Sequence, residues 1–358
     1  MLSKSSLAFL ERFLKSSGPS GFEFEPAAVF REYAGTFADE VKTDVIGNTI
    51  ACINPDATFK VMLAGHYDEI GFQVVYVDDG GLITFRPVGG IDKHTLPGIE
   101  VDIINGKGER IPGVIGRKPI HLQTPKERET ASEIKDLWID IGAQSKEEAE
   151  KLVRVGDPVS FRANYRRLGE YSVMSKGLDD KIGAFVIIEA LRELAKKKIK
   201  VGVYAVGTVQ EELGLRGAKP GAFGIDPQAA ICVDVGFATD VPGVEKKIWG
   251  DAKLGGGPML QRNADNNPVM NRIMFKVADK KKIPYQLGCG HRASGGTDTA
   301  QVQLSRAGVA TVLVSIPNRY MHTPVEICDL RDVENAIHLI AETIASLSGR
   351  ETFIPGLD

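Results

Sequence analysis

Cysteine is scarce in this sequence, and its few positions do not suggest cross-links. The 358 residues include 4 cysteines, far apart and with no Cys-x-x-Cys pair: Cys52, Cys232, Cys289 and Cys328. A chain of this length can bury a core without disulfide bonds, and these positions offer no thiolate set for a metal ion. We therefore expect reduced, mostly buried thiols.

Long apolar runs and an excess of one charge are also missing. No run reaches the roughly 18 apolar residues that a membrane span requires. Residues 1–18 interleave acids and bases within an i, i+3, i+4 apolar pattern, which is unlike a signal peptide. The 44 basic and 47 acidic residues give a net charge of -3 and no electrostatic footprint for nucleic acid. We expect a cytoplasmic protein with no nucleic-acid or membrane partner.

The pattern of hydrophobic residues divides the chain into two parts. The hydrophobic content of 43% allows a large core, and the length favours two domains. Residues 71–163 contain short alternating runs separated by glycine-rich turns, which predicts a small antiparallel barrel or sandwich. Residues 1–70 and 164–358 instead combine continuous apolar runs with amphipathic helical patterns. The predicted fold is α/β, with a mixed, largely parallel sheet flanked by helices and an inserted antiparallel β-barrel.

Four continuous apolar runs end close to acids or histidines. The residues that follow these runs are His66 with Asp68, Glu211 with Glu212, Asp234, and His322. Such runs are typical of buried parallel strands, and residues past the carboxyl ends of these strands line the crevice of an open α/β sheet. Asp179, immediately before a strong helical pattern, is expected in the same crevice.

This collection of side chains predicts a metal centre. Carboxylates gathered in one crevice would repel one another unless cations compensate them. Imidazoles mixed with carboxylates favour zinc, cobalt or manganese over calcium or magnesium. One catalytic zinc takes about three protein ligands, so the number of candidates favours two ions sharing a carboxylate. Asp68 is placed to accept the second N–H of His66, and either Glu211 or Glu212 would remain outside the metal shell to accept a proton.

Six motifs carry a resemblance to a known family. They are HYDEIG (66–71), GLDDKIG (177–183), TVQEELGLRGA (208–218), CVDVGF (232–237), GGTDT (295–299) and RYMHTPVE (319–326). In this order they resemble the motifs of the M42 family of co-catalytic metallo-aminopeptidases, which includes tetrahedral and glutamyl aminopeptidases and proteins once labelled endoglucanases. The resemblance covers the whole chain, and six motifs in series are far more specific than any single one.

The resemblance implies a role for each residue of the predicted centre. Two divalent ions, Zn²⁺ or Co²⁺, would be bound by Asp179 as the bridge, His66 and Asp234 at one ion, and Glu212 and His322 at the other. Glu211 would be the general base and Asp68 would orient His66. The peptide bond between Asp179 and Asp180 would be cis. The insert would be a PDZ-like dimerisation domain, and the protein would form homo-oligomers, from dimers up to a dodecamer.

The implied reaction is hydrolysis of the N-terminal peptide bond of peptides with a free α-amine. Three other functions remain open. The same metal pair would serve a deacylase or amidase acting on small N-acyl compounds. A glycoside hydrolase would need an acid and a nucleophile or base free of metal. The third alternative is a non-catalytic scaffold that binds peptides and has a structural metal site.

Four residues near the motifs have open roles. Asp298, in GGTDT, either contacts substrate or caps the helix that follows. Arg319 and Tyr320 either shape the pocket or are a surface arginine and a packed tyrosine. His291, close to the GGTDT loop, lies outside the ligand pattern, as do the remaining histidines.

Overall fold

The structure is a computed structural model that describes residues 2–288 and 293–357. The α-helices are α1 (Lys4–Lys15), α2 (Phe24–Ala34), α3 (Pro125–Glu129), α4 (Lys146–Glu150), α5 (Leu178–Leu194), α6 (Ala218–Ile225), α7 (Lys246–Trp249), α8 (Pro268–Lys281), α9 (Thr299–Gln303) and α10 (Leu330–Ser346). Short 3-10 helices occupy Lys93–Thr95, Ile120–Leu122 and Ile134–Asp136.

The β-strands fall into a central sheet, a barrel and a small third sheet. They are β1 (Glu40–Thr43), β2 (Thr49–Ile53), β3 (Lys60–His66), β4 (Gly71–Val77), β5 (Ile83–Val88), β6 (Glu100–Ile104), β7 (Arg110–Gly116), β8 (Trp138–Asp140), β9 (Pro158–Phe161), β10 (Arg166–Leu168), β11 (Ser172–Ser175), β12 (Gly202–Thr208), β13 (Ala229–Phe237), β14 (Met259–Gln261), β15 (Gln286–Gly288), β16 (Ala310–Asn318) and β17 (Glu326–Asp329).

The central sheet has the strand order β1-β2-β12-β3-β13-β16-β14-β15. Strands β12, β3, β13 and β16 are parallel neighbours, and antiparallel pairs flank them on both sides. These four strands are the continuous apolar runs of the sequence, so the prediction of buried parallel strands is confirmed. Because they run in the same direction, their carboxyl ends meet at one edge of the sheet.

Helices cover both faces of this sheet. Successive side chains of a strand point to opposite faces, so Leu63 packs in the core beneath α5 while Met62 packs beneath α6. Helix α5 is buried along almost its whole length, as a helix that is apolar on all sides must be. Gly65 lets this helix approach the sheet, because a Cβ there would lie 2.8 Å from the backbone of Gly183. The start of α5 is thereby brought close to the end of β3.

The barrel closes in the order β4-β5-β8-β7-β6-β9, and every pairing in it is antiparallel. It has its own apolar core, in which Phe72 packs edge-on against Phe85 and Phe161 at centroid distances of 4.9 and 5.5 Å. The predicted fold class, an α/β sheet with an inserted antiparallel barrel, is confirmed. The alternating runs of the sequence correspond to β4, β5, β6 and β9, whereas β7 and β8 were not predicted.

Two sequence expectations concern the cysteines and the membrane. Cys52, Cys232 and Cys328 are free and buried, as expected, whereas Cys289 lies outside the described residues. Within residues 2–288 and 293–357, no helix has the length and apolar character needed to span a membrane.

Candidate metal centre

His66 ends strand β3 at the carboxyl edge of the sheet. Its Nδ1 lies 3.3 Å from Asp68 Oδ1 and 3.2 Å from the Asp68 carbonyl oxygen. Its Nε2 faces three acids, at 3.2 Å from Asp179 Oδ1, 3.8 Å from Glu211 Oε2 and 4.0 Å from Asp234 Oδ1. Asp68 therefore fixes one ring nitrogen and leaves the other directed at the carboxylates, which is the orientation a metal-binding imidazole needs.

Asp179 lies between the two histidines of the centre. Its Oδ1 is 3.2 Å from His66 Nε2, and its Oδ2 is 3.3 Å from His322 Nε2. The backbone is non-helical at Asp179 (φ -77°, ψ 108°), although this residue lies at the start of α5. The peptide bond to Asp180 is cis, which confirms the expectation from the resemblance.

Glu211 and Glu212 lie in the turn after β12, and Asp68 organises this turn. Asp68 Oδ1 accepts a hydrogen bond from the Glu211 N–H at 3.0 Å, and Oδ2 accepts one from the Glu212 N–H at 3.2 Å. The hydroxyl of Ser20 also donates to Asp68 Oδ2, at 2.5 Å. The sequence predicted Asp68 only as the partner of His66, whereas the structure shows that it also holds the turn with the two glutamates.

The remaining two predicted residues complete the group. Asp234 lies in β13, where its Oδ1 accepts a hydrogen bond from the Val235 N–H at 2.7 Å. His322 follows β16, and its Nε2 is 3.3 Å from Glu212 Oε1. The side chain of His322 is 37% exposed, compared with 2% for His66. The His66 side of the centre is therefore closed, and the His322 side is more open.

The charges within this group are unbalanced. Burial raises the pKa of Glu211 and Asp234 well above the usual range; neighbouring acids add to the rise, and His66 only partly offsets it. Burial would lower the pKa of His322, but Asp179 and Glu212 raise it to about 11. The protein alone supplies too little positive charge for its carboxylates, so a bound cation would stabilise the ionised site.

The donor atoms fit divalent ions of the borderline type. His66, Glu211 and Asp234 form one set of ligand atoms within 4.8 Å of one another, and His66, Asp179 and Glu212 form another. One imidazole nitrogen with two carboxylate oxygens suits zinc, cobalt or manganese. Glu211 belongs to one of these sets. Its distances to His66 and Asp234 therefore fit a metal ligand as well as a general base.

A buried ion cluster lies behind the centre. The carboxylate of Glu69, 2% exposed, accepts hydrogen bonds from Lys176 Nζ at 2.5 Å and from Lys181 Nζ at 2.7 Å. Ser160 in barrel strand β9 donates to Glu69 Oε1 at 2.8 Å, and both lysines donate to the Ser16 carbonyl. Burial would raise the pKa of Glu69, but the two lysines lower it to about 2. The cluster connects the barrel, the α1–α2 loop and the segments that carry His66 and Asp179.

The centre opens into a cleft of about 860 Å³. Its apolar lining includes Phe237, Trp249, Met259, Leu287 and Met321, and its polar lining includes Gln261, Arg262 and Asn263. A concave site of this size, mostly apolar with a few polar groups, is typical of ligand binding. The reactive groups are therefore accessible to a small molecule or the end of a peptide.

Within the described part of the chain, Asp298, Arg319 and Tyr320 are not among the residues that line this cleft, although their neighbours Thr297 and Met321 are. The carboxylate of Asp298 is buried and accepts a hydrogen bond from the Thr208 hydroxyl at 2.5 Å, and α9 begins without a side-chain cap. Asp298 thus occupies the N-cap position of α9, as one alternative expected, but its side chain makes no capping hydrogen bond. Arg319 pairs with Asp240 at 2.9 and 2.6 Å, and Tyr320 is 51% exposed, so it is not the packed tyrosine expected. His291 lies outside the described residues.

Two parts of the centre were missed by sequence reasoning. Glu326, buried at the start of β17, accepts backbone hydrogen bonds from Asp179 and His322. Its only signal in the sequence is its place in the motif RYMHTPVE. The loop after barrel strand β5 brings Gly90 against His322, where a Cβ would lie 3.3 Å from His322 Nδ1. The barrel, which contributes none of the predicted ligands, therefore touches the centre.

A largely parallel sheet whose carboxyl edge gathers histidines and acids under an open cleft is typical of α/β enzymes that bind metal ions at the ends of their strands. Comparison with known proteins gives the family. A sequence model described as M42 glutamyl aminopeptidase matches residues 47–339. The lysyl aminopeptidase of Pyrococcus furiosus is 38% identical over 341 residues, which cover 94% of this chain and 96% of that relative. The chain belongs to the M42 peptidase family and is a hydrolase of the aminopeptidase type.

Solved structures share this fold over nearly the whole chain. A TET aminopeptidase from a marine sediment Thaumarchaeota archaeon superposes with a TM-score of 0.91 at 37% identity, covering 96% of each chain. The TET1 peptidase of Pyrococcus horikoshii has a TM-score of 0.85 at 34% identity, covering 96% of this chain and 100% of that one. The latter is described as assembling into a tetrahedron or a large octahedral shell.

Proposed function

We propose that the protein is a dinuclear metal-dependent aminopeptidase that hydrolyses the N-terminal peptide bond of peptides with a free α-amine. The observation that carries this proposal is the position of Asp179, whose two carboxylate oxygens face His66 at 3.2 Å and His322 at 3.3 Å. A carboxylate between two imidazoles is placed to bridge a pair of ions.

The proposed ligands follow from this bridge. Asp179 would be shared by two Zn²⁺ or Co²⁺ ions, with His66 and Asp234 at one and Glu212 and His322 at the other. When bound, the ions would lower the pKa of a water molecule, polarise the scissile carbonyl and anchor the substrate amine. Asp68 would keep Nε2 of His66 directed at the ion through its contact with Nδ1.

Glu211 is the proposed general base. It lines the cleft, and the backbone hydrogen bond from its N–H to Asp68 fixes its position. Its carboxylate would take a proton from the attacking water and deliver it to the nitrogen of the departing amine. Burial and neighbouring acids raise its pKa, and nearby cations would lower this pKa again and keep the base ionised at neutral pH.

Assembly into homo-oligomers belongs to the same proposal. The similarity to TET1 peptidase structures described as a dodecamer and as tetrahedral or octahedral shells supports a homo-oligomer. We expect it to be built from dimers, up to a dodecamer. Residues 71–163 would be the inserted dimerisation domain, and residues 1–70 and 164–358 the catalytic domain. Peptides are the proposed substrates, and a cytoplasmic location remains a prediction.

The test is metal analysis combined with a substrate panel. Protein stripped with chelator and dialysed would be titrated with Zn²⁺ or Co²⁺, and metal content and hydrolysis would be measured together. We expect two ions per chain, and activity on aminoacyl-p-nitroanilides and dipeptides but not on their N-acetylated forms. Release only from acylated substrates would favour the deacylase, and two bound ions without any turnover would favour the scaffold. A single ion per active chain would refute the dinuclear centre.

A further inference from the structure

Glu326 joins two segments of the centre that are far apart in sequence. Its Oε2 accepts a hydrogen bond from the Asp179 N–H at 2.9 Å, and its Oε1 accepts one from the His322 N–H at 3.0 Å. The residue is 2% exposed; its hydrogen bond to Asp179 is buried, and the one to His322 is partly buried. One carboxylate thus holds the backbone of both residues.

The two N–H groups are ones that regular secondary structure does not use. Asp179 has non-helical φ and ψ angles at the first turn of α5, and His322 has a φ of 62° in the loop after β16. N–H groups at such positions need an acceptor from elsewhere when they are buried. Glu326 supplies an acceptor to both, and it thereby fixes the conformation in which Asp179 Oδ2 and His322 Nε2 lie 3.3 Å apart.

Glu326 is itself held firmly. Strand β17 pairs with β11 with Glu326 opposite Ser175, only a few residues before Asp179. On its other edge, Ile327 exchanges two backbone hydrogen bonds with Arg319, at 3.0 and 3.1 Å. The carboxylate therefore projects from a strand anchored on both sides, next to the two segments that it connects.

We propose that Glu326 is a positioning residue that sets Asp179 and His322 for the ion on the His322 side of the centre. The inference rests on the proposed dinuclear function and adds a determinant that is not itself a ligand. Asp68 holds Glu211 and Glu212 in a similar way. The ligands Asp179, Glu212 and His322 would then all be fixed through backbone N–H groups by two carboxylates.

The decisive substitution is Glu326→Gln. The amide keeps the size of the side chain but replaces one acceptor oxygen with an NH₂ group, which would face an N–H donor. The matched control is Asp332→Asn. Asp332 is also a buried carboxylate that accepts two backbone hydrogen bonds, from Gly255 and Gly257 at 2.7 Å each, and neither donor carries a proposed ligand.

Both variants and the wild-type chain would be titrated with Co²⁺, and binding would be followed by visible absorption and by metal content after dialysis. In Glu326→Gln we expect about 10- to 100-fold weaker binding of one ion, the range found when an outer partner of a metal ligand is removed. The other ion should bind as in the wild type, and kcat should fall more than KM rises. Asp332→Asn should lower the melting temperature but leave both ion affinities unchanged.

Each outcome separates this inference from the proposed function. Two ions in the wild type and two equally tight ions in Glu326→Gln would overturn the positioning role alone. An equal loss of affinity in Asp332→Asn would also overturn it, because general destabilisation would then explain the effect. A wild-type chain with one ion would overturn both proposals. If Glu326→Gln does not fold, Glu326→Asp replaces it. Aspartate keeps both acceptor oxygens but is one methylene group shorter, so it should hold the two N–H groups less well. Wild-type affinity for both ions in that variant would refute the inference.

Discussion

Gly90 of the barrel lies directly against His322 of the metal centre, so that a methyl group at position 90 would push on the imidazole. A Cβ added at Gly90 would lie 3.3 Å from His322 Nδ1, closer than side chains usually pack. The inserted barrel therefore forms part of the wall around one of the proposed ligands. The absence of a side chain at this position allows the approach.

Gly90→Ala should displace His322 slightly. We expect a roughly 3- to 10-fold fall in kcat and weaker binding of one ion, because a small shift of a ligand costs both affinity and reaction geometry. Gly106→Ala is the control, since a Cβ there meets nothing within 4 Å and neither glycine has a positive φ. Steady-state kinetics and metal titration would measure both effects. Equal activity in the two variants would show that the barrel contact does not matter.

Glu211→Gln should retain metal and lose turnover. An amide keeps the shape of the side chain but cannot accept the proton, so kcat should fall by about 10²- to 10⁴-fold. Glu212→Gln provides the comparison, because loss of a proposed ligand should lower metal content as well. Metal analysis beside kinetics distinguishes the two. If Glu211→Gln lost an ion instead, Glu211 would be a ligand, as its distance from His66 and Asp234 also allows.

Asp179→Ala should release both ions, whereas Asp234→Ala should release only one. The difference follows from the position of Asp179 between the two histidines, compared with that of Asp234 beside His66 alone. Metal content per chain after dialysis would be measured for both variants, with circular dichroism to verify folding. Two ions retained by Asp179→Ala would contradict the bridge.

Glu69→Gln should destabilise the protein in a pH-dependent way. The pKa of Glu69 is lowered from 4.5 to about 2 by Lys176 and Lys181. The stabilising contribution of the ionised carboxylate is therefore complete above about pH 4.5 and is lost as the pH falls towards about 2. The difference in unfolding free energy between wild type and Glu69→Gln should shrink over that range.

The measurement for Glu69 is urea denaturation at several pH values, with Glu32→Gln as the control. Glu32 forms an exposed ion pair with Arg12, and such pairs contribute little. If the difference in unfolding free energy between wild type and Glu69→Gln did not change with pH, Lys176 and Lys181 would not stabilise the ionised Glu69 carboxylate.

Much of the centre could be predicted from the sequence because the four central strands of the sheet are parallel. Continuous apolar runs indicate buried strands, and parallel strands bring the residues after them to one edge, so His66 and Asp234 could be placed together without a structure. Glu326 could not be found in this way. It acts on backbone N–H groups, and which N–H groups it meets depends on how β17 pairs with β11, which no local pattern reveals.

The barrel shows a second limit of the same reasoning. Strand β8 is only Trp138–Asp140 and follows a stretch rich in both charges, so its apolar alternation is too short to recognise. The contact of Gly90 with His322 depends on how the barrel docks onto the sheet. Long-range docking of this kind leaves no periodic trace in the sequence.

The proposed ligands are spread from the end of β3 to the loop after β16, late in the chain. A nascent chain would therefore hold no complete set of the proposed ligands until the segment that carries His322 had been synthesised and had packed beside the sheet.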